Sequence, residues 1–140
     1  MKALVRDRYG GPEALELREL ETPTPQAGEV LVRVHASSVN TADVDYVLGR
    51  PWVARLGTGL RTPRAPIPGI DMAGVVESVG PDATRFGPGD RVFADLFAVG
   101  SGAWAEYVAV PESALTPIPE DVSFQSAGAS PSAGIFAIQS

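Results

Sequence analysis

The chain of 140 residues contains no cysteine and one histidine, His35. The first absence removes disulfides, a thiol nucleophile and any thiolate-held zinc or iron–sulfur centre; the second leaves a metal site dependent on carboxylates. Absence of cysteine is compatible with the cytosol without requiring it. Basic residues are also few, 11 Lys plus Arg against 17 Asp plus Glu, for a formal net charge of -6. So few cations cannot assemble a phosphate-tracking face, which argues against nucleic acid as a partner. No stretch approaches the ~18 uninterrupted apolar residues of a membrane-crossing helix, so no membrane span is expected. The opening Met1-Lys2-Ala3-Leu4-Val5-Arg6 turns charged before a signal-peptide core could form.

What is present points to one β-rich domain. Hydrophobic residues make up 44% of the chain, enough for a core, and 15 glycines with 13 prolines imply many turns and short strands. Lys2 to Arg6 reads as a short strand, Tyr9-Gly10-Gly11-Pro12 as a turn, and Ala14 to Leu20 as a half-solvated strand. Thr22-Pro23-Thr24-Pro25 is an extended loop, because proline cannot donate to a sheet ladder. The strongest strand is Glu29 to Val39, with Val30, Val32 and Val34 on one face and Leu31, Arg33 and His35 on the other. Asn40 or Thr41 caps a short helix that ends at Gly49, with acids in its first turn.

Residues 50–68 carry Pro51, Pro63, Pro66 and Pro68 and read as a long surface excursion without regular structure, a kind of loop that usually binds or packs on something. It holds Trp52 and the only local basic cluster, Arg50, Arg55, Arg61 and Arg64, with no acid between Gly49 and Ile70. A second strong strand runs from Gly69 to Gly80, and Phe86-Gly87-Pro88-Gly89-Asp90 is a tight turn into Arg91-Val92-Phe93. Trp104 to Val110 and Ala114 to Ile118 are further strands. A helix capped by Asp121 or Ser123 could run into Ala129, with an interruption at Pro131. Ile135, Phe136 and Ile138 then form an apolar face with nothing to bury it, as though the chain were cut there. Many short strands at close spacing indicate a small barrel or sandwich in place of a βαβ repeat.

Six motifs in order carry a family resemblance: Val39-Asn40-Thr41-Ala42-Asp43; Pro68-Gly69-Ile70-Asp71-Met72-Ala73-Gly74-Val75-Val76; Val79-Gly80; Phe86 to Phe93; Gly102-Ala103-Trp104-Ala105-Glu106-Tyr107-Val108; and Val110-Pro111. Together they resemble the N-terminal, GroES-like catalytic domain of the medium-chain dehydrogenase/reductase superfamily, in its zinc-free quinone oxidoreductase and enone reductase branch. The resemblance implies a mainly β, GroES-like partial barrel with short helices, truncated before a Rossmann domain. Residues 1–127 would be the substrate-side domain and 128–140 the start of a connection into the missing nucleotide-binding domain. No Gly-x-Gly-x-x-Gly run in a strand–turn–helix setting occurs.

Zinc-dependent relatives place a ligand cysteine where this chain has Asn40 and a ligand histidine where it has Ile70. Their third ligand falls near Ser132. The resemblance therefore implies no zinc or other metal, and NADPH or NADH as the cofactor, held mainly by the missing domain. The substrate would be a quinone or an α,β-unsaturated carbonyl, the location cytoplasmic, with a homo-oligomer left open for the full-length protein. The family places a polar residue beside nicotinamide and substrate at Asn40. Catalytic roles are expected for Asn40, Tyr46 and Asp71, cofactor contacts for Asn40, Thr41 and Ser132, and substrate contacts for Asp43, Tyr46 and Trp52. The isolated chain is expected to be inactive.

Simpler readings stand beside these. Asn40 is a helix cap, Asp43 a favourable first-turn acid, and Asp71 one half of an ion pair with Arg91. His35 is a hydrogen-bonded structural residue, and Trp104 and Tyr107 are core or interdomain contacts. A non-catalytic GroES-like assembly module and a fragment of a zinc-type alcohol dehydrogenase are the alternative functions, the second opposed by Ile70.

Overall fold

The computed structural model describes residues 1–134, except for the side chains of Ala54 and Thr58. Strands β1 (Lys2–Val5) and β2 (Glu16–Glu19) form an antiparallel pair with Leu4 opposite Leu17. The main sheet is antiparallel throughout, in the order β6-β3-β4-β5-β7. Its strands are β3 (Glu29–Ser37), β4 (Asp71–Val79), β5 (Arg91–Asp95), β6 (Tyr107–Pro111) and β7 (Thr116–Pro117). Alternation along these strands sends Val30, Val32, Met72, Val76, Val92, Ala94, Val108 and Val110 to one buried cluster with Leu96 and Leu115. The opposite face carries Ala73 and Phe93 against helix α3 (Phe124–Ala129). His35 stacks on Phe124 at 4.6 Å between ring centroids, a packing role.

β3 and β4 pair with register shifts between Leu31 and Val32 and between Val34 and Ala36. Such bulges bend a strand and redirect its end. The end of β3 runs through Ser38 and Val39 into helix α1 (Thr41–Leu48), while the start of β4 is Asp71. Sheet pairing thus brings two sequence-distant segments to one corner, with Ser37 opposite Met72.

Several expectations change in detail. The excursion after Gly49 is not structureless: a 3₁₀ turn spans Trp52–Ala54 and helix α2 spans Arg55–Thr58. β6 begins at Tyr107 instead of Trp104, because the preceding backbone is engaged by β1. Leu4 N–H donates to the Trp104 carbonyl at 2.9 Å and Glu106 N–H to that of Lys2 at 3.0 Å. Ala114 lies in a 3₁₀ turn, Glu112–Ala114, and β7 is reduced to two residues. Ser123, not Asp121, caps α3 by accepting from Ser126 N–H. The chain bends at Ser130, and residues 131–134 are helical again with Pro131 at the first position, where its missing N–H costs nothing. Ile135, Phe136 and Ile138 lie outside the described residues.

Candidate functional site

Helix α1 is fixed at both ends by its own sequence. At its start Asn40 Oδ1 accepts from Asp43 N–H at 3.2 Å, and an Asp43 carboxylate oxygen accepts from Asn40 N–H at 3.1 Å, a reciprocal capping box. At its end Gly49 adopts the left-handed conformation, φ 67°, which glycine enters without a Cβ penalty. Asp43 does more than cap. Its other oxygen accepts from the buried Ile70 N–H at 3.1 Å, so this carboxylate, 0% exposed, ties α1 to the entry of β4. Burial pushes the Asp43 pKa up, opposed by the two backbone N–H donors and reinforced by the charges of Asp71 and Asp95.

Asp71 is the hub of the corner. It is 1% exposed, and its carboxylate accepts four hydrogen bonds. Ser38 Oγ and Asn40 Nδ2 donate to Oδ2 at 2.8 and 3.1 Å; the N–H and hydroxyl of Ser132 donate to Oδ1 at 3.1 and 2.7 Å. Arg91 is not its partner, contrary to the ion-pair reading. The Arg91 guanidinium instead donates to the carbonyls of Pro119, Glu120 and Val122 and lies over the Phe124 ring. Four donors thus satisfy this buried carboxylate, with no cation partner among the described residues.

Asn40, Thr41, Asp71 and Ser132 line one cleft of about 560 Å³, together with Val39, Asp45 and Ala129. The Asn40 amide has committed Oδ1 to the helix cap and one Nδ2 hydrogen to Asp71. Its second Nδ2 hydrogen has no acceptor among the described residues. Thr41 adds an exposed hydroxyl at the helix start. Val39, 69% exposed, forms the ridge between this polar cleft and an apolar groove containing Leu4, Leu15, Leu17 and Trp104.

The other expected residues stand elsewhere. Tyr46 packs beneath Arg6, whose guanidinium lies 4.3 Å from the ring centroid and donates to the Tyr46 carbonyl. Trp52, 75% exposed, sits on the excursion and does not line the cleft. Asp43 is enclosed behind the cap and does not reach the cleft. Two polar residues that do line it, Ser38 and Asp45, were not anticipated. Asp45 follows Thr41 by one helical turn, so the i, i+4 rule would have placed it there; nothing in the sequence signals Ser38.

Residues 26–120 match the alcohol dehydrogenase GroES-like domain model. The chain belongs to this family. A quinone oxidoreductase from Rattus norvegicus is 38% identical over 131 residues, covering 92% of the chain and 37% of that protein. The human quinone oxidoreductase gives the same identity and coverage. Among solved structures, the quinone oxidoreductase from Coxiella burnetii superposes with a TM-score of 0.86 at 32% identity, over 99% of this chain and 43% of that one. Escherichia coli quinone oxidoreductase complexed with NADPH gives a TM-score of 0.77 at 26% identity, over 93% of this chain and 37% of that one. The chain thus spans a little over a third of the curated relatives it matches, 37% in both cases. GroES-like architecture is the right description of its β-rich fold.

Proposed function

We propose that this domain is the substrate side of an NAD(P)H-dependent oxidoreductase that transfers hydride to quinones or α,β-unsaturated carbonyls without zinc. The observation that carries the reading is the Asn40 amide, which lines the cleft with Oδ1 and Nδ2 each held by one bond and its second amide hydrogen without an acceptor among the described residues. A quinone or enone accepting hydride develops negative charge on its carbonyl oxygen, and a preoriented N–H donor stabilises that charge without reorganising. The same donor, with the Thr41 hydroxyl, suits the carboxamide of a nicotinamide ring, and a cleft of about 560 Å³ has room for a ring and a small acceptor. The cofactor would supply the hydride. Asn40, Thr41 and Ser132 would orient the reacting groups, Asp71 would hold Asn40 and Ser132 in place, and Val39 would offer an apolar contact to the acceptor ring.

Zinc independence is supported by the residues at the three expected ligand positions. The Ile70 side chain is buried hydrocarbon, the Asn40 Oδ1 accepts from the Asp43 N–H, and the Ser132 hydroxyl donates to Asp71. The relatives' greater length supports a nucleotide-binding domain in the whole protein, with the 128–140 segment leading into it, and the kinship with quinone oxidoreductases supports a cytoplasmic location. Among the described residues, Gly128 and Ser132 already pack on the sheet corner, Gly128 against the Ala36 backbone, so the connection would leave from the edge of the site.

The test is reduced-nicotinamide oxidation by the full-length protein with a quinone acceptor. Asn40→Ala should lower kcat by about 10–100-fold while the folded signal is kept. An unchanged kcat would remove Asn40 from the chemistry. Fluorescence titration of NADPH into the 140-residue chain alone should show no saturable binding; micromolar saturation would mean that this domain itself holds the cofactor.

A further inference from the structure

The phase of α1 separates its acids. Asp43 and Val47, four residues apart, face the interior; Tyr46 turns to Arg6; Thr41 and Asp45, also four apart, face the cleft. Three carboxylates therefore stand in or behind one cleft wall, and they are not equivalent. The oxygens of Asp43 and Asp71 are occupied by backbone and side-chain donors. The Asp45 carboxylate is exposed and has no hydrogen bond or ion pair among the described residues; its backbone carbonyl accepts from the N–H groups of Gly49 and Arg50, the latter at 2.7 Å. No Lys, Arg or His lines the cleft. An exposed negative charge in a cleft whose lining carries no cation contributes strongly to the potential that an entering molecule meets.

We propose that Asp45 sets the charge preference of the acceptor site: neutral, hydroxyl-bearing or cationic acceptors are admitted, and acceptors carrying a carboxylate or sulfonate are disfavoured. The inference rests on the cleft being the acceptor site. It concerns specificity, a difference between two ligands, and Asp45 takes no part in hydride transfer. A like charge one residue-width away, partly screened by water, disfavours an anion by about fivefold.

The experiment compares a naphthoquinone with its sulfonate in the full-length enzyme, wild type and Asp45→Asn. The sulfonate-to-neutral ratio of kcat/KM should rise about fivefold in the variant, mostly through KM, because the perturbation is electrostatic binding. Asp45→Lys should raise it further. The gain should fade as salt is added, since an exposed charge is screened within about 8–10 Å at physiological ionic strength. A ratio that is the same in wild type and Asp45→Asn overturns the proposal. If wild type reduces neither quinone, the oxidoreductase reading fails. Charge preference is then read from the ratio of the two Kd values, measured by quenching of tryptophan fluorescence. A ratio unmoved by Asp45→Asn again refutes it, and a fivefold rise sustains it for binding alone.

Discussion

Removing the Asp43 carboxylate tests whether α1 and the start of β4 are joined as described. Asp43→Ala leaves two backbone donors without an acceptor, the N–H of Asn40 and that of Ile70. Neither can rotate away as a hydroxyl could. The Ile70 donor is buried and would forfeit about 1–3 kcal/mol; losing half of the capping box adds about 1 kcal/mol. Relief of a buried charge offsets part of this, so a net loss of about 1–3 kcal/mol is expected, a large share of the 5–15 kcal/mol typical of a domain. Asp43→Asn keeps an acceptor for Ile70 and turns an N–H toward Asn40, whose own N–H is nearer solvent, so about 1 kcal/mol is expected. Urea unfolding of the chain followed by circular dichroism reads both as midpoint shifts, with the alanine midpoint falling by about 1–2 M. An alanine variant within 0.5 kcal/mol of wild type, as a rough bound on surface effects, would refute the reasoning. So would an asparagine variant as damaged as the alanine one.

Three further outcomes follow from the same geometry. The folded-state pKa of Asp43 lies above its unfolded value, so its proton stabilises the fold at low pH. That stability should be lost as pH rises from about 4 through the raised value, and urea melts across this window should fall more steeply for wild type than for Asp43→Asn. Gly69 sits at φ 94° with the position of a Cβ only 2.7 Å from the Trp104 backbone nitrogen. Gly69→Ala should cost about 3 kcal/mol or more and change the near-ultraviolet tryptophan signal; Gly87→Ala, with open space around it, should stay within about 0.5 kcal/mol. Arg6 is 1% exposed, with Nε and Nη2 lacking partners among the described residues, and burial pulls its pKa down. Arg6→Met should therefore cost under about 1 kcal/mol, whereas Arg6→Ala should lose about 2–4 kcal/mol to the cavity, both read by thermal melting.

The two long strands and α1 were legible because each carries a local signal: alternation in Glu29 to Val39 and Gly69 to Gly80, a cap at Asn40 and a stop at Gly49. Asn40, Thr41 and Asp71 lie in the family motifs and Ser132 near the relatives' third ligand position, and folding brings all four to one cleft. What escaped was set by contacts between distant segments. The partners of Asp71 come from positions 33, 31 and 61 residues away, and no local pattern distinguishes Ser38 from Arg91 as its neighbour. Tyr46, expected at the site, turns to Arg6, and the cleft belongs to the Thr41–Asp45 stripe. The prolines of the excursion obscured its short helical turns, which follow Pro51 at the N-cap where the ring is tolerated.

The margins of the five-stranded sheet bear on how the domain behaves when crowded. At one margin β7 is two residues long, contains Pro117 and runs straight into Pro119, so it offers almost no free N–H groups. At the other, the backbone leading into β6 is already bonded to β1 through Trp104 and Glu106, and β6 itself stops at Pro111. A foreign strand would find no long unpaired ladder on either side, so edge-to-edge polymerisation is designed against from both ends. Self-association through the five-stranded sheet is thus disfavoured, and side-chain surface such as the exposed Leu17 and Trp52 is the alternative it leaves.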